Sequence, residues 1–444
     1  VLRSTIRNFH FSITQVINMK RKFRTHLANL RHTRKLIRPA AVVASILACA
    51  TAVAQLGPPG PPQGPPQAAQ QGGPAGLPLS LQGFGQALAG LSAELIAAFN
   101  EGRIEFTNVE TPEGGLGPIF NGRSCAECHS APAVGGGSRT VVTRFGRLEN
   151  GVFDPLDSLG GSLLQRFAIN PAAREIIPHE ANVVAQRIST PVFGLGLIEA
   201  IPDSTLLANA AAPKPDGVSG RAAEITDVVS GTKRVGRFGW KSQQATILAF
   251  SGDAYNNEMG ITNRFFPTEN APNGNQQLLR RFTTNSGIED SVGPDGRSDI
   301  DAAADFMRLL APPPQLPKSA SALIGETLFS QSGCSTCHTP TLRTGPNRIP
   351  ALDRKAVNLY SDLLLHDMGR LGDGIAQANA GTHEMRTAPL WGLRARDRYL
   401  HDGRANSVDA AIRAHEGEGA VARDRYNRLT PQLRQSIVDF LNTL

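Results

Sequence analysis

Leu88, Leu91, Leu95 and Phe99 recur at helical spacing and predict an amphipathic helix over 86–100. A second helix is expected over 299–310, ended by Pro312-Pro313-Pro314. A third is expected over 319–329, with Leu323, Ile324 and Leu328 on one face. Ser407 reads as the N-cap of a short helix in which Val408, Ile412 and His415 fall at i, i+4 and i+7. The last helix has Thr430 as N-cap and Pro431 in its first position, with Leu433, Ile437, Phe440, Leu441 and Leu444 on one stripe. Between 140 and 260 the pattern breaks into short apolar runs and turns, and 187–201 is apolar and glycine-rich. Residues 57–78 are mostly Pro, Gly and Gln; they cannot bury a core and read as an extended tether.

These patterns divide the chain into a presequence (1–54), a tether (55–80) and two folded regions, 81–312 and 313–444, separated at the proline triplet. Gly and Pro number 45 and 31, so long loops are expected. The formal charge of +7 is misleading, because ten Lys and Arg and no acid lie in residues 1–54. The remainder carries 35 basic and 38 acidic residues, net −3, which gives no general basic field for nucleic acid or an anionic membrane. Arg31–Arg38, the apolar run 40–50 and Ala52-Val53-Ala54 read as an export signal too short to span a bilayer, with Met19 a candidate start. A lipid-modified Cys49 is the rival reading; either way the expected location is periplasmic.

Composition alone says nothing about chemistry, but the cysteines do. Cys125-Ala126-Glu127-Cys128-His129 returns as Cys334-Ser335-Thr336-Cys337-His338, 209 positions later. This is the pattern for covalent haem attachment: two thiols take up the vinyl groups and the following imidazole is the proximal iron ligand. Zinc would need further Cys or His ligands nearby, and neither cassette has them. Two c-type haems are therefore expected. After signal removal all four remaining cysteines belong to the cassettes, which leaves none for thiol–disulfide exchange. A helix before CxxCH and one at the terminus, packed on each other, form the cytochrome c arrangement, so the expected fold is mainly α with two cytochrome c-like domains. Gly135-Gly136-Gly137 is expected to let backbone approach the first haem.

The sixth iron position decides between electron transfer and small-molecule chemistry. The candidates are His179, His366, His383, His401 and His415, with Met259, Met307, Met368 and Met385. His415 ends an apolar stripe and can reach a buried iron; a cation at a helix C-terminus is the equal alternative. His401 is expected to hold a turn or bond a haem propionate, and His366 and Met368 to form pocket wall. His179 reads as a surface residue. No histidine follows His129 for fifty residues, so the first haem is expected to have an open or weakly ligated face, with Glu258 and Glu199 as nearby acids. A carboxylate there can move a proton between peroxide oxygens; an ordinary solvated or capping role competes. Trp240 is either core or a relay between haems.

The chain resembles the bacterial di-haem oxidoreductases, relatives of di-haem cytochrome c peroxidases and MauG-type enzymes, over about 85–444. The likeness rests on Gly115-Leu116-Gly117-Pro118, the stretches 193–202, 236–241, 258–262, 362–369 and 386–393, and Tyr399–Arg404. It implies that His415 is the distal ligand of the second haem, where peroxidases have Met and MauG-type proteins Tyr. It implies that Glu258, in the Glu-Met-Gly motif, serves peroxide cleavage and that Trp240 is the inter-haem tryptophan. The removable histidine that those peroxidases often carry after the first cassette is missing. Relatives also hold a calcium ion between domains, for which no ligands are identifiable here. The reading is an exported enzyme in which a small periplasmic donor, a cytochrome or cupredoxin, reduces a bis-histidine haem that feeds a peroxide-reducing one. A di-haem electron carrier and a MauG-like or oxygenase activity on a larger substrate are the alternatives.

Overall fold

The computed structural model describes residues 81–283 and 287–444. The export signal, Cys49 and the tether lie outside the described residues. The first helix, α1, is Ala93–Thr107, shifted toward the C-terminus from the expected 86–100. Gly90 adopts φ 78°, which stops a helix, and the Ser92 side chain then caps a new start by accepting from Leu95 N–H. Leu88 lies before it and donates its N–H to Leu309.

The stretch expected to hold only short runs and turns contains a small antiparallel sheet. Strand β1 (Val141–Glu149) pairs with β2 (Val152–Asp154), β3 (Leu163–Leu164) and β4 (Val183–Ile188), with Val142 opposite Arg187 and Arg144 opposite Ala185. β-branched residues at 141–143 and 183–184 suit that pleated surface. The short apolar runs were expected, but not their pairing into a sheet. Helices α2 (Ile247–Met259) and α3 (Asp299–Leu309) follow; Ser298 and Asp301 form a capping box on α3. Gly102 of α1 faces α3 so closely that an added Cβ would lie 2.1 Å from the Ala302 carbonyl oxygen.

Beyond the prolines, α4 (Ala320–Gln331) is capped by Ser319, and the terminal helix, Pro431–Leu441, is capped by Thr430 as expected. The buried face of α4 is not the expected one. Ala322, Gly325 and Phe329 face inward, while Leu323 and Ile324 are 53% and 50% exposed. The reason is Gly325: its missing Cβ would sit 1.8 Å from the Ser436 carbonyl oxygen, so a small-residue stripe lets the two helices touch and rotates the larger aliphatics outward. Gly325→Ala gains helix propensity of about 1 kcal/mol. The obstruction, however, is backbone and cannot swing aside. The net expectation is destabilisation by about 1–3 kcal/mol, read as a lower urea midpoint of the haem-loaded protein.

Two main apolar clusters are buried. The larger runs from Phe84 and α1 through Phe193, Ile198, Phe238 and Phe306 to Leu359, Leu364 and Trp391. The smaller is drawn from residues 322–444, centred on Phe329, Tyr360, Tyr426, Ile437 and Phe440.

Candidate functional site

Each cassette opens onto its own cavity. At the second, Gly333 at φ 88° turns the chain out of α4 into a 3-10 turn, Cys334–Thr336, and His338 N–H donates to the Cys334 carbonyl. His338 Nδ1 lies 3.0 Å from the Tyr360 carbonyl oxygen. A ring nitrogen that donates to a carbonyl fixes the tautomer and leaves Nε2 as a free donor for a metal. Across the cavity, helix α5 (Val408–Arg413), capped by Ser407, positions His415 just past its end. His415 Nδ1 lies 2.8 Å from the Ala411 carbonyl oxygen, the same arrangement.

The His338 and His415 ring centres are 6.4 Å apart. Two metal–nitrogen bonds of about 2 Å, with the half-width of each ring behind its nitrogen, span about that distance. Cys334 and Cys337 line the same cavity. These residues fit a covalently held haem with an imidazole on each face.

His366 also lines this cavity but has no nitrogen to give. Nε2 is 2.9 Å from Asp362 and Nδ1 2.6 Å from Glu418. Burial opposes its charge, yet the bonds to Asp362, Cys337 and Glu418 outweigh that and push it up to about 12. A doubly protonated ring is pocket wall, not ligand. Met368, Met385 and His401 line the cavity too. The His401 carbonyl accepts from Ile188 N–H, and its buried Nε2 makes no hydrogen bond but lies 3.9 Å from Asp402. Burial holds that imidazole down, near 4. His179 is on the surface, its side chain 93% exposed. His383 is exposed and bonds the Gly369 carbonyl.

At the first cassette Ser124 caps the short helix Cys125–Cys128, and His129 Nδ1 lies 3.3 Å from the Gly136 carbonyl oxygen. The glycine run serves this loop: an added Cβ at Gly136 would meet the Ala131 carbonyl oxygen at 2.1 Å, and one at Gly135 would meet Leu310 at 2.3 Å. The close approach expected toward haem is therefore to protein. This cavity is lined by Cys125, Cys128, His129 and Glu258 and, among the described residues, by no second histidine. Met259 and Met307 also line it. The one imidazole and two thiols suit a covalent haem whose other face is not closed by a histidine. Burial pushes Cys125 up to about 12 and Cys128 to about 11, which makes both poor thiolates.

Glu258 stands in the last turn of α2. Burial raises its carboxyl, and the Arg144 charge partly opposes this. The acid expected beside it, Glu199, is elsewhere: it accepts from Ile247 N–H at 2.7 Å and pairs with Arg308 at 2.9 Å. Sequence reasoning missed Arg144, on β1. Arg144 lines the first cavity; its Nη1 donates to Ser162 Oγ at 3.1 Å, its buried Nε makes no hydrogen bond, and burial lowers it only to about 10, so it stays charged. No spacing signal marks it; only the pairing of β1 with β4 brings it there.

Trp240 lines both cavities. Its Nε1–H donates to the Ile188 carbonyl at 2.8 Å, and its ring meets His401 edge-on, centres 6.2 Å apart. Arg386 pins the turn through bonds to the Trp240 and Gly239 carbonyls. Among the described residues no group of three or more His, Cys, Asp or Glu side chains is placed to hold a metal ion, and no helix is long and apolar enough to cross a membrane.

Residues 175–444 match the family model described as "Di-haem oxidoreductase, putative peroxidase". Among curated proteins no significant match is found. Solved structures that resemble the chain include a hydrazine synthase of Kuenenia stuttgartiensis, 16% identical over 80% of this chain and 88% of that one, TM-score 0.38. The di-haem peroxidase BthA of Burkholderia thailandensis is 14% identical over 78% and 86%, TM-score 0.36. A MauG-like protein associated with microbial copper homeostasis is 15% identical over 61% and 92%, TM-score 0.30.

Proposed function

The chain belongs to the di-haem oxidoreductase family, and on that premise we propose an exported peroxidase-type enzyme with two covalently bound haems in two cytochrome c-like regions, 81–312 and 313–444. The haems would supply stored electrons and, at an unsealed face, reduction of a small oxidant such as peroxide. The observation that carries the reading is the inequality of the cavities: His338 and His415 face each other in the second, whereas the first has His129 alone with Glu258 and Arg144.

In this reading His415 closes the second site, so that site stores and passes electrons received from a small cytochrome or cupredoxin. Trp240, held by Ile188 and Arg386, bridges the two cavities. Glu258, whose carboxyl burial raises, would give a proton to the departing peroxide oxygen and recover one from the oxygen that stays. Arg144 stays cationic and stabilises the negative charge that develops as the oxygens part. Met259 and Met307, which also line the first cavity, favour the carrier alternative, because either one closing that face would leave no room for an oxidant. The test is anaerobic: a pre-reduced small cytochrome or cupredoxin, the holo-protein and hydrogen peroxide are mixed. Two donor molecules should be oxidised per peroxide consumed. Donor oxidation that ignores peroxide would reject the enzyme reading.

A further inference from the structure

Tyr255 is 2% exposed, lines the first cavity, and packs in one apolar cluster with Leu116, Met259 and the cassette residue Cys125. Its hydroxyl does not reach into the cavity chemistry described so far. It donates instead to Glu105 Oε1 on α1, at 2.6 Å. Burial raises Glu105 to about 7 against that bond, and the nearby acids Asp299, Glu110 and Asp290 raise it further. The half-buried Glu105 therefore connects a cavity-wall phenol to the surface of α1.

The geometry points to Tyr255 as a redox-active side chain of the first cavity, which gives one electron to the oxidised group held there while its phenolic proton passes to Glu105. The phenol O–H bond breaks, a carboxyl O–H forms, and the products are a neutral phenoxyl, a carboxylic acid and a haem site reduced by one electron. The oxidant is the peroxide-oxidised first haem, so the inference rests on the reading above for its source. A buried phenol cannot lose an electron alone, because that would leave an unpaired cation in a poorly solvating site. The hydrogen bond removes this obstacle by giving the proton a place to go. Tyr426 is the internal contrast. It is equally buried and donates to Asp409, but Arg413 holds that carboxyl down, so it is a weak base, and Tyr426 lines neither cavity. The proposed role is to supply an electron at the first site when the second has none to give, so that an oxidised haem does not attack its surroundings.

The experiment is rapid-freeze EPR of holo-protein, oxidised haems throughout, after mixing with hydrogen peroxide. A parallel arm uses a flash-generated ruthenium polypyridyl oxidant, which needs no peroxide chemistry. The chain has four tyrosines, so ring-deuterated tyrosine identifies a phenoxyl signal and Tyr255→Phe locates it. Expected is a radical narrowed by the label, abolished in Tyr255→Phe and at least tenfold weaker in Glu105→Gln, with haem absorption and melting unchanged in both variants. A radical at Tyr255 in the ruthenium arm alone supports this inference while rejecting the peroxide reading. No tyrosine radical in either arm, or one that survives Tyr255→Phe, overturns it. Full yield in Glu105→Gln removes Glu105 as the proton acceptor.

Discussion

Glu258→Gln is expected to lower peroxide turnover by about 10²–10⁴-fold, the range that a positioned acid–base group contributes. The amide keeps the size of the side chain, so the cavity should keep its shape. What is lost is a proton that can be given and recovered. The second site lies outside this change, so electrons should still enter there at the parent rate. The measurement is steady-state donor oxidation with peroxide, beside single-turnover reduction of the second haem by the donor. A loss smaller than about threefold would remove Glu258 from the chemistry. Equal losses in both assays would mean that the substitution damages the protein generally.

His415→Ala is expected to convert the second haem from six-coordinate low-spin to high-spin and to abolish electron supply to the first site. His366 cannot take over, since both its nitrogens are held by carboxylates. Met368 and Met385 line the cavity and are the remaining protein donors. Added imidazole should restore the low-spin spectrum, which distinguishes a lost ligand from a collapsed pocket. An unchanged spectrum in the variant would show that His415 never bound iron and that its bond to the Ala411 carbonyl is its whole role.

The features legible in the sequence were those governed by local rules. Helix caps at Ser407 and Thr430 were readable because a cap depends on one side chain and the next three residues. The i, i+4, i+7 stripe carried His415 to the cavity that holds His338. The miss at α4 has a different cause. A stripe of Ala322, Gly325 and Phe329 is less hydrophobic than Leu323 with Ile324, yet it wins because only glycine lets the terminal helix so close. Arg144 was invisible for a third reason. It reaches the first cavity only through a long-range pairing, β1 with β4. Tyr255 stands one turn before Glu258 on α2, and what spacing hides there is its bond to Glu105 on α1. Of the two acids placed near the first haem, Glu258 lines that cavity, whereas Glu199 takes the competing capping role, bonded to Ile247 N–H and Arg308, a commitment that spacing does not reveal.

The central claim is that two irons sit in unequal surroundings, one between His338 and His415 and one with His129 on a single face. Low-temperature EPR of the fully oxidised holo-protein tests it most directly. The account predicts one low-spin bis-histidine signal together with one high-spin signal that shifts when azide or cyanide is added. Two low-spin signals, both unmoved by those ligands, would contradict it.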